Sequence, residues 1–194
     1  GLEKLLREEG VEIKTNATVT KIITQHRRVT GVELDNSEKP LSADLVVCNA
    51  DPPFVYEHLL DFPQRKRWSN WRLRQLRYSM GLFVLYFGTT RQYPEVAHHT
   101  ITMGPRYKEL LSDIFHKKHL ATDMSLYLHR PTATDPTMAP AGCDTFYVLS
   151  PVPNNLSGIN WDEVGPRYRD AVVKELERTL LPGLSECIKE GFFV

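Results

Sequence analysis

The first fifty residues of the chain alternate between short apolar segments and polar turns. Leucines recur at helical spacing over residues 2–6 before Gly10, so the chain is predicted to begin with a short helix. Alternating, β-branched segments then predict strands over residues 11–14, 18–24 and 29–34. The predicted order in this part is therefore a helix, a strand and a β-meander.

The stretch on which the fold prediction depends is the apolar run at residues 45–48. A continuous apolar run between polar residues is typical of a strand buried on both faces of a parallel sheet, so Cys48 is predicted to be buried and unreactive. Asp51 is a suitable N-cap for a helix that follows at once. Because open α/β sheets bind ligands beyond the carboxyl ends of their strands, Asn49 and Ala50 are candidates for a cofactor edge.

From residue 52 onward the predicted elements are longer and more apolar. Helices are predicted over 52–60, 63–78, 105–115 and 161–181, and strands over 81–88, 99–103, 124–129 and 145–149. A mixed sheet covered by helices is the simplest packing of these pieces. The predicted fold class is therefore α/β (α+β), with one part over residues 1–51 and a second over residues 52–194.

The amino-acid composition restricts the classes of function that this chain can have. The 194 residues carry a formal net charge of +0, so no overall positive charge points to nucleic acid. The three cysteines are far apart, which indicates neither a disulfide framework nor a zinc motif. No apolar run approaches the ~20 residues of a transmembrane helix. The chain starts in a helical pattern and stops in an apolar strand-like run, so we expect an internal fragment of a longer protein.

Two local features permit more than one interpretation. The pair His98-His99 could bind a metal, but adjacent residues of a strand point to opposite faces, so we expect no metal site. The predicted helix over residues 63–78 carries six cations and two tryptophans, which would suit anionic lipid. A solvated helix that packs its tryptophans internally is the simpler interpretation.

Aromatic residues are frequent in the predicted strands of the second part. They suit the walls of a site for a large apolar ligand, although a plain core would contain the same residues; they are Phe83, Tyr86, Phe87, Tyr127, Phe146 and Tyr147. Neither of the glycine-rich phosphate-binding motifs, GxGxxG and GxxxxGK[ST], is present. A nucleotide would therefore have to be held through its phosphates by residues outside this sequence.

Several blocks of the sequence form a recognisable series: LFVLYFG at 82–88, AHHTI at 97–101, GPRYKEL at 104–110, SLYLH at 125–129, TDP at 134–136, APAGC at 139–143 and FYVLSPVP at 146–153. These blocks resemble the bacterial-type phytoene desaturases, which are flavoproteins of the amine-oxidase-like superfamily. The blocks follow one another in the order and at the spacings of that family, and the match spans nearly the whole chain. Such a series is more specific than any single short motif.

The resemblance implies an FAD-dependent oxidoreductase that removes hydrogens from phytoene by hydride transfer to the flavin. It implies a cytoplasmic enzyme that associates peripherally with the membrane, because its substrate is dissolved in lipid. Residues 1–51 would be the inner part of the FAD-binding domain, and residues 52–194 most of the substrate-binding domain. The family's N-terminal glycine-rich motif and its C-terminal flavin-contacting motif do not occur here, so we do not expect this chain by itself to retain FAD.

The resemblance also suggests roles for particular residues. Val19 matches a valine whose backbone lies against adenine in the superfamily, and Asn49 and Ala50 match a segment that passes near the flavin. For the substrate, the candidates are four aromatic residues, Phe83, Tyr86, Tyr127 and Phe146. No catalytic side chain is predicted. The alternatives are a flavin oxidoreductase for another carotenoid or a retinoid, and a non-catalytic binding or interaction domain for apolar ligands.

Overall fold

The computed structural model describes residues 1–65 and 67–193, with the side chains of Phe62 and of residues 190–193 left out of the description. Two residues of predicted elements lie outside the described residues. They are Lys66, one of the six cations of the predicted basic helix, and Val194, at the end of the predicted strand-like run. The chain divides by packing into two compact units, Gly1–Arg77 and Tyr78–Val194. The functional division after residue 51 stays a prediction, because packing does not report what each part binds.

The first unit contains a small antiparallel meander. Helix α1 (Leu2–Glu8) is followed by strands β1 (Val19–Gln25), β2 (Arg28–Leu34) and β3 (Leu41–Ser42), which pair in the order β1-β2-β3. The turn between β1 and β2 uses left-handed backbone at both His26 and Arg27, with φ of 48° and 66°. Two such residues are typical of a tight hairpin turn, whose twist matches that of the paired strands. The predicted meander is confirmed, whereas residues 11–14 form no strand.

The prediction of a buried strand at residues 45–48 is wrong. These residues lie outside the paired strands, and Leu45 and Val47 are 78% and 88% exposed. Cys48 is also exposed, so the prediction of a buried thiol is wrong as well. The apolar pattern is present, but a strand is buried on both faces only where other elements cover it. Within the described part of the first unit, the paired strands are β1 to β3 alone.

The first unit continues into short helices. They are α2 (Pro52–Phe54) with a π-helical extension Val55–Leu59, α3 (Phe62–Arg65) and α4 (Asn70–Arg74). The single helix predicted over residues 63–78 is therefore interrupted, and the hydroxyl of Ser69 accepts a hydrogen bond from the Arg72 N–H to start α4 anew. The ring of Trp68 stacks on Tyr56 at 5.5 Å, which agrees with internal packing of that tryptophan, while Trp71 is 73% exposed.

The second unit is built on a five-stranded sheet. Its strands are β4 (Gly81–Thr89), β5 (His99–Thr102), β6 (Leu126–His129), β7 (Asp144–Val152) and β8 (Ile188–Phe193). They lie in the order β5-β6-β7-β4-β8, and each adjacent pair is antiparallel. The predicted combination of helices and a sheet is confirmed, and the direction of the strands is antiparallel rather than mixed.

The helices of the second unit fall into two groups, and the group near the C-terminus, with the last two helices, covers one face of the sheet. Helix α5 (Tyr107–Ser112) continues as a π-helical segment Asp113–Lys117, and it is followed by α6 (Trp161–Thr179) and α7 (Leu184–Cys187). Three short 3₁₀ turns lie between these elements, at Pro131–Ala133, Pro136–Met138 and Asn155–Ser157. Helix α6 buries Tyr168, Val172 and Leu176 at four-residue intervals, which places them on one side of the helix. They belong to one core with inward residues of the sheet.

A buried ion pair links the sheet to its connecting loops. The Nε of Arg130 lies 3.0 Å from Asp144 Oδ2, and the Asp144 side chain has no exposed surface. The same carboxylate accepts hydrogen bonds from the Tyr93 backbone N–H at 2.7 Å and the Thr132 hydroxyl at 2.6 Å. Arg130 in turn donates to the carbonyl oxygen of Val96 at 2.6 Å. Every charge at this site therefore has partners, as burial requires.

Burial of Tyr93 predicts a loss of stability at high pH. Burial, followed by the hydrogen bond to Cys187, raises the pKa of Tyr93 from 10.0 to about 12. Because the folded state holds the phenol proton more tightly, this stabilisation is complete below pH 10.0 and is lost as the pH rises towards about 12. We expect urea unfolding between about pH 9 and about 11.5 to show a declining free energy of unfolding. The decline should be shallower for Tyr93→Phe, and an equal slope in that variant would contradict the assignment.

Candidate functional site

The five-stranded sheet has two faces of different character. Along β4 the residues at odd positions from Phe83 to Thr89 are buried, and along β7 those at even positions from Asp144 to Val152 are buried. Strand alternation places these residues on the helix-covered side. The residues between them form the opposite face, which we call the open face; its members include Leu82, Val84, Tyr86, His99, Ile101, Tyr127, His129, Tyr147 and Leu149.

Aromatic rings lie in contact across the open face. Tyr86 is paired with Tyr147 in the strand register, and their ring centroids lie 5.7 Å apart. Tyr147 also lies 5.9 Å from the ring of Tyr127 and 4.7 Å from that of His129, edge to face. Leu82 and Ile101 extend this surface and are 47% and 67% exposed. The open face therefore offers a contiguous surface of aromatic and aliphatic side chains, of the kind that marks a binding surface.

The four aromatic residues predicted to contact substrate are divided between the two faces. Tyr86 and Tyr127 lie on the open face, whereas Phe83 and Phe146 belong to the buried core, each 3% exposed. The strand pairing explains the division, because Phe87 is opposite Phe146 and Tyr86 is opposite Tyr147. The contact of these four residues with a substrate stays a prediction.

A pocket lies beside the start of β4. It has a volume of about 450 Å³ and is lined by Leu82, Phe83, Val152, Pro153 and Trp161, together with Gly81, Asn154, Asn155 and Asp162. Its size is within the range of small-molecule sites. Phe83 is thus both a core residue and part of a pocket wall, while Leu82 belongs to both the pocket and the open face.

Three histidines converge at the edge of the open face. His98 lies in a bend just before β5, His99 is the first residue of β5, and His129 is the last residue of β6, paired directly with His99. The Nε2 atoms of His98 and His129 lie 2.7 Å apart, and the rings of His98 and His99 are 4.3 Å apart. The expectation that these neighbours point to opposite faces is wrong, because His98 precedes the strand and does not follow its alternation.

The surroundings of His129 favour the neutral form of its ring. Burial, followed by the neighbouring imidazoles of His98 and His99, lowers the pKa of His129. The hydrogen bond with Tyr127 is the main reason that the pKa of Tyr147 is raised. At neutral pH this part of the open face therefore presents an uncharged imidazole and an uncharged phenol, and both suit an apolar ligand.

The predicted cofactor residues lie in the first unit. Val19 begins β1, which is an edge strand of the meander, so one side of its backbone is not used by the β1-β2 ladder. Asn49 and Ala50 are exposed in the segment that leads to α2. Asn49 and Ala50 are therefore accessible to a ligand, whereas Val19 is half-buried. Their roles stay predictions.

Sequence reasoning did not make His129 or Tyr147 a substrate candidate, although Tyr147 is among the aromatic strand residues that it named. Both follow from strand alternation once the directions of β6 and β7 are known, since His129 is paired with Tyr147 in the register. The alternating pattern over residues 124–129 was available in the sequence. The sequence did not show which side of the sheet the helices cover.

The architecture defines a class of protein: a helix-covered antiparallel sheet that presents an apolar aromatic face, joined to a small α/β unit. The sequence profile of the flavin containing amine oxidoreductase family matches residues 2–127. The chain belongs to this family. The fold agrees with a crystal structure of an oxidoreductase from Methanosarcina mazei, at a TM-score of 0.63 and 15% identity over 99% of this chain and 40% of the other.

Individual curated proteins of similar sequence narrow the comparison within this family. The chain is 46% identical to a neurosporene-forming phytoene desaturase of Rhodobacter capsulatus, over 97% of this chain and 37% of the relative. It is 45% identical to a lycopene-forming phytoene desaturase of a Paracoccus species, over 95% of this chain and 37% of the relative. The chain therefore spans a little over a third of the length of these relatives. None of the helices in the described part of the chain is long and apolar enough to cross a membrane.

Proposed function

We propose that this chain is part of an FAD-dependent desaturase that acts on phytoene or a related polyene. The observation that carries the proposal is the open face of the sheet, an apolar aromatic surface with few charges. The chain's membership of a flavin-containing family and its similarity to proteins named phytoene desaturases support the same reaction class. FAD would supply the acceptor for the hydride that leaves the substrate.

Particular residues have proposed roles in binding. In the first unit, the backbone edge at Val19 would meet the adenine, and the exposed segment at Asn49 and Ala50 would pass near the flavin. In the second unit, Tyr86 and Tyr127 would lie along the polyene, and Phe83 would contact an end of the substrate through the pocket beside Trp161. Phe146 would act from the core, since its ring stacks on Phe87 at 5.2 Å and supports the sheet from behind.

The chemistry of the open face suits a hydrocarbon substrate. A polyene has no polar group to hydrogen-bond, so its recognition depends on apolar area and shape. The tyrosine rings offer flat apolar surfaces, and their hydroxyl groups have partners such as the His99 Nδ1, which lies 2.7 Å from the Tyr127 hydroxyl. Because the substrate is dissolved in lipid, we also propose a peripheral association of the enzyme with the membrane.

The proposal is tested with the intact protein, FAD and phytoene supplied in liposomes. We expect a bound flavin spectrum and a product with a longer conjugated system, seen as absorbance at longer wavelengths. Leu82→Asp should lower kcat/KM at least about tenfold, because a carboxylate on the open face would be desolvated by the substrate. Leu156→Asp is the matched control, since Leu156 is 59% exposed in a turn of the same unit outside the sheet.

The outcomes separate the parts of the proposal. A protein that binds no flavin, or leaves every polyene unchanged, would contradict the desaturase assignment. If both aspartate variants convert phytoene at equal rates, the desaturase reaction stands. The open face is then not the surface that binds the substrate. A preference for a shorter polyene or a retinoid over phytoene would assign the reaction to that alternative substrate.

A further inference from the structure

We propose that His98, His99 and His129 form a binding site for a divalent transition-metal ion such as Zn²⁺. The three residues each offer one ring nitrogen, and these atoms all lie within 4.8 Å of one another. This inference is independent of the proposed desaturase function. Neither the family match nor the named relatives assign a metal to this chain.

The geometry needs only small movements to accept an ion. Zinc binds imidazole nitrogen at about 2.0–2.1 Å, so two ligands in tetrahedral geometry are about 3.3 Å apart. The Nε2 atoms of His98 and His129, now 2.7 Å apart, would separate by roughly half an ångström as the ion replaces the hydrogen bond between them. His99 is exposed, so its ring has room to adjust, and His98 lies in a bend outside the strand ladder.

Neighbouring hydroxyl groups hold two of the rings in suitable orientations. The Thr134 hydroxyl lies 2.9 Å from Nδ1 of His98, and the Tyr127 hydroxyl lies 2.7 Å from Nδ1 of His99. Metal-binding histidines are commonly fixed in this way through the nitrogen that does not bind the ion. Each contact directs the Nε2 of its ring away from the hydroxyl and leaves it for a metal.

His129 turns its two ring nitrogens to different surroundings, Nε2 towards His98 and Nδ1 into the interior. Among the residues that the structure describes, its buried Nδ1 has no hydrogen-bond partner. The hydrogen bond of the ring is made by Nε2, the atom that meets His98, and the ring also packs on His99 and Tyr147. A buried polar atom without a partner is uncommon and calls for an explanation. An ion at Nε2 gives Nδ1 no partner, so the proposed site rests on the three converging ring nitrogens and not on this atom.

The ligand set fits a particular class of ion. Three imidazole ligands without a carboxylate suit Zn²⁺, Cu²⁺ or Ni²⁺ rather than Ca²⁺ or Mg²⁺, which prefer oxygen. Three protein ligands leave one position for water or another molecule. Because the ligands come from β5, its preceding bend and β6, the ion would join the outermost strand to the rest of the sheet. Its bound form would therefore be more stable to heat.

The test uses the full chain, freed of metal with a chelator and titrated with Co²⁺, whose visible spectrum reports tetrahedral coordination by nitrogen. We expect uptake of one ion per chain, displacement by Zn²⁺, and a melting temperature that rises with Zn²⁺ concentration. His99→Gln and His129→Gln should each weaken binding at least about tenfold. His119→Gln, an exposed histidine of the same unit, is the matched control and should bind as the parent does.

Two results would overturn the proposal. One is the absence of a stoichiometric Co²⁺ spectrum at about 100 µM free metal. The other is a spectrum that His99→Gln leaves unchanged, or that His119→Gln abolishes equally. Since His99 is exposed, its replacement tests the site even if His129→Gln disturbs folding, and circular dichroism of each variant verifies the fold.

Discussion

Replacement of Asp144 by alanine is expected to lower the free energy of unfolding by about 3–5 kcal/mol. The substitution leaves the guanidinium of Arg130 in the interior without its carboxylate, and that side chain is only 9% exposed. It also removes the acceptor for the Thr132 hydroxyl and the Tyr93 backbone N–H. Such a loss is a large part of the stability of a typical domain, about 5–15 kcal/mol. Urea unfolding followed by circular dichroism measures it.

The control for this prediction is Asp170→Ala. Asp170 also pairs with an arginine, since its Oδ1 lies 2.6 Å from Arg169, but its side chain is 67% exposed. Exposed ion pairs contribute roughly 0–1 kcal/mol, so this variant should unfold almost as the parent does. A loss below about 1 kcal/mol in Asp144→Ala would show that water reaches Arg130 and that the pair is not buried as described.

Leu176→Ala is expected to cost about 2–5 kcal/mol of unfolding free energy. Leu176 is fully buried at 0% exposure on α6 and belongs to the core that includes Leu85 and Val148 of the sheet. Truncation removes apolar contacts and leaves a cavity that a helix packed on a sheet fills only in part. The midpoint of urea unfolding should fall while the dependence on urea stays constant.

Leu156→Ala makes the same chemical change at a leucine that is 59% exposed. It should alter the free energy of unfolding by no more than about 0.5 kcal/mol. Equal losses at Leu156 and Leu176 would mean that the helix-covered face is not the core of this unit. A large loss at Leu176 alone would confirm that α6 contributes to the core of this unit.

Strong periodic patterns predicted many of the elements, among them β1, β2, β4, β7 and α6. Helix α6 is an example, since Val172 and Leu176 repeat at helical spacing and the structure buries both. The uninterrupted apolar run of β4 likewise predicted a strand, and it is the longest together with β7. These signals are local, because the side-chain period depends only on the backbone geometry of one element.

The same local signal failed at residues 45–48, where Leu45 and Val47 are apolar but exposed. An apolar run shows that a segment can be buried, whereas burial itself depends on neighbouring strands and helices. The predicted helix over residues 63–78 failed for a different, local reason. Ser69 offers an N-cap to a new helix, and such capping competes with the continuation of the first one.

The candidate site depended most on the tertiary structure. The sequence by itself determined the secondary-structure periods, the aromatic strands and the resemblance to a flavoprotein family. Only the tertiary structure decided that Tyr86 and Phe83 serve opposite faces, and that His129 meets His98 although 31 residues separate them. The physical reason is that strand direction, register and helix coverage arise from contacts between segments distant in sequence, and no local pattern encodes which segments will meet.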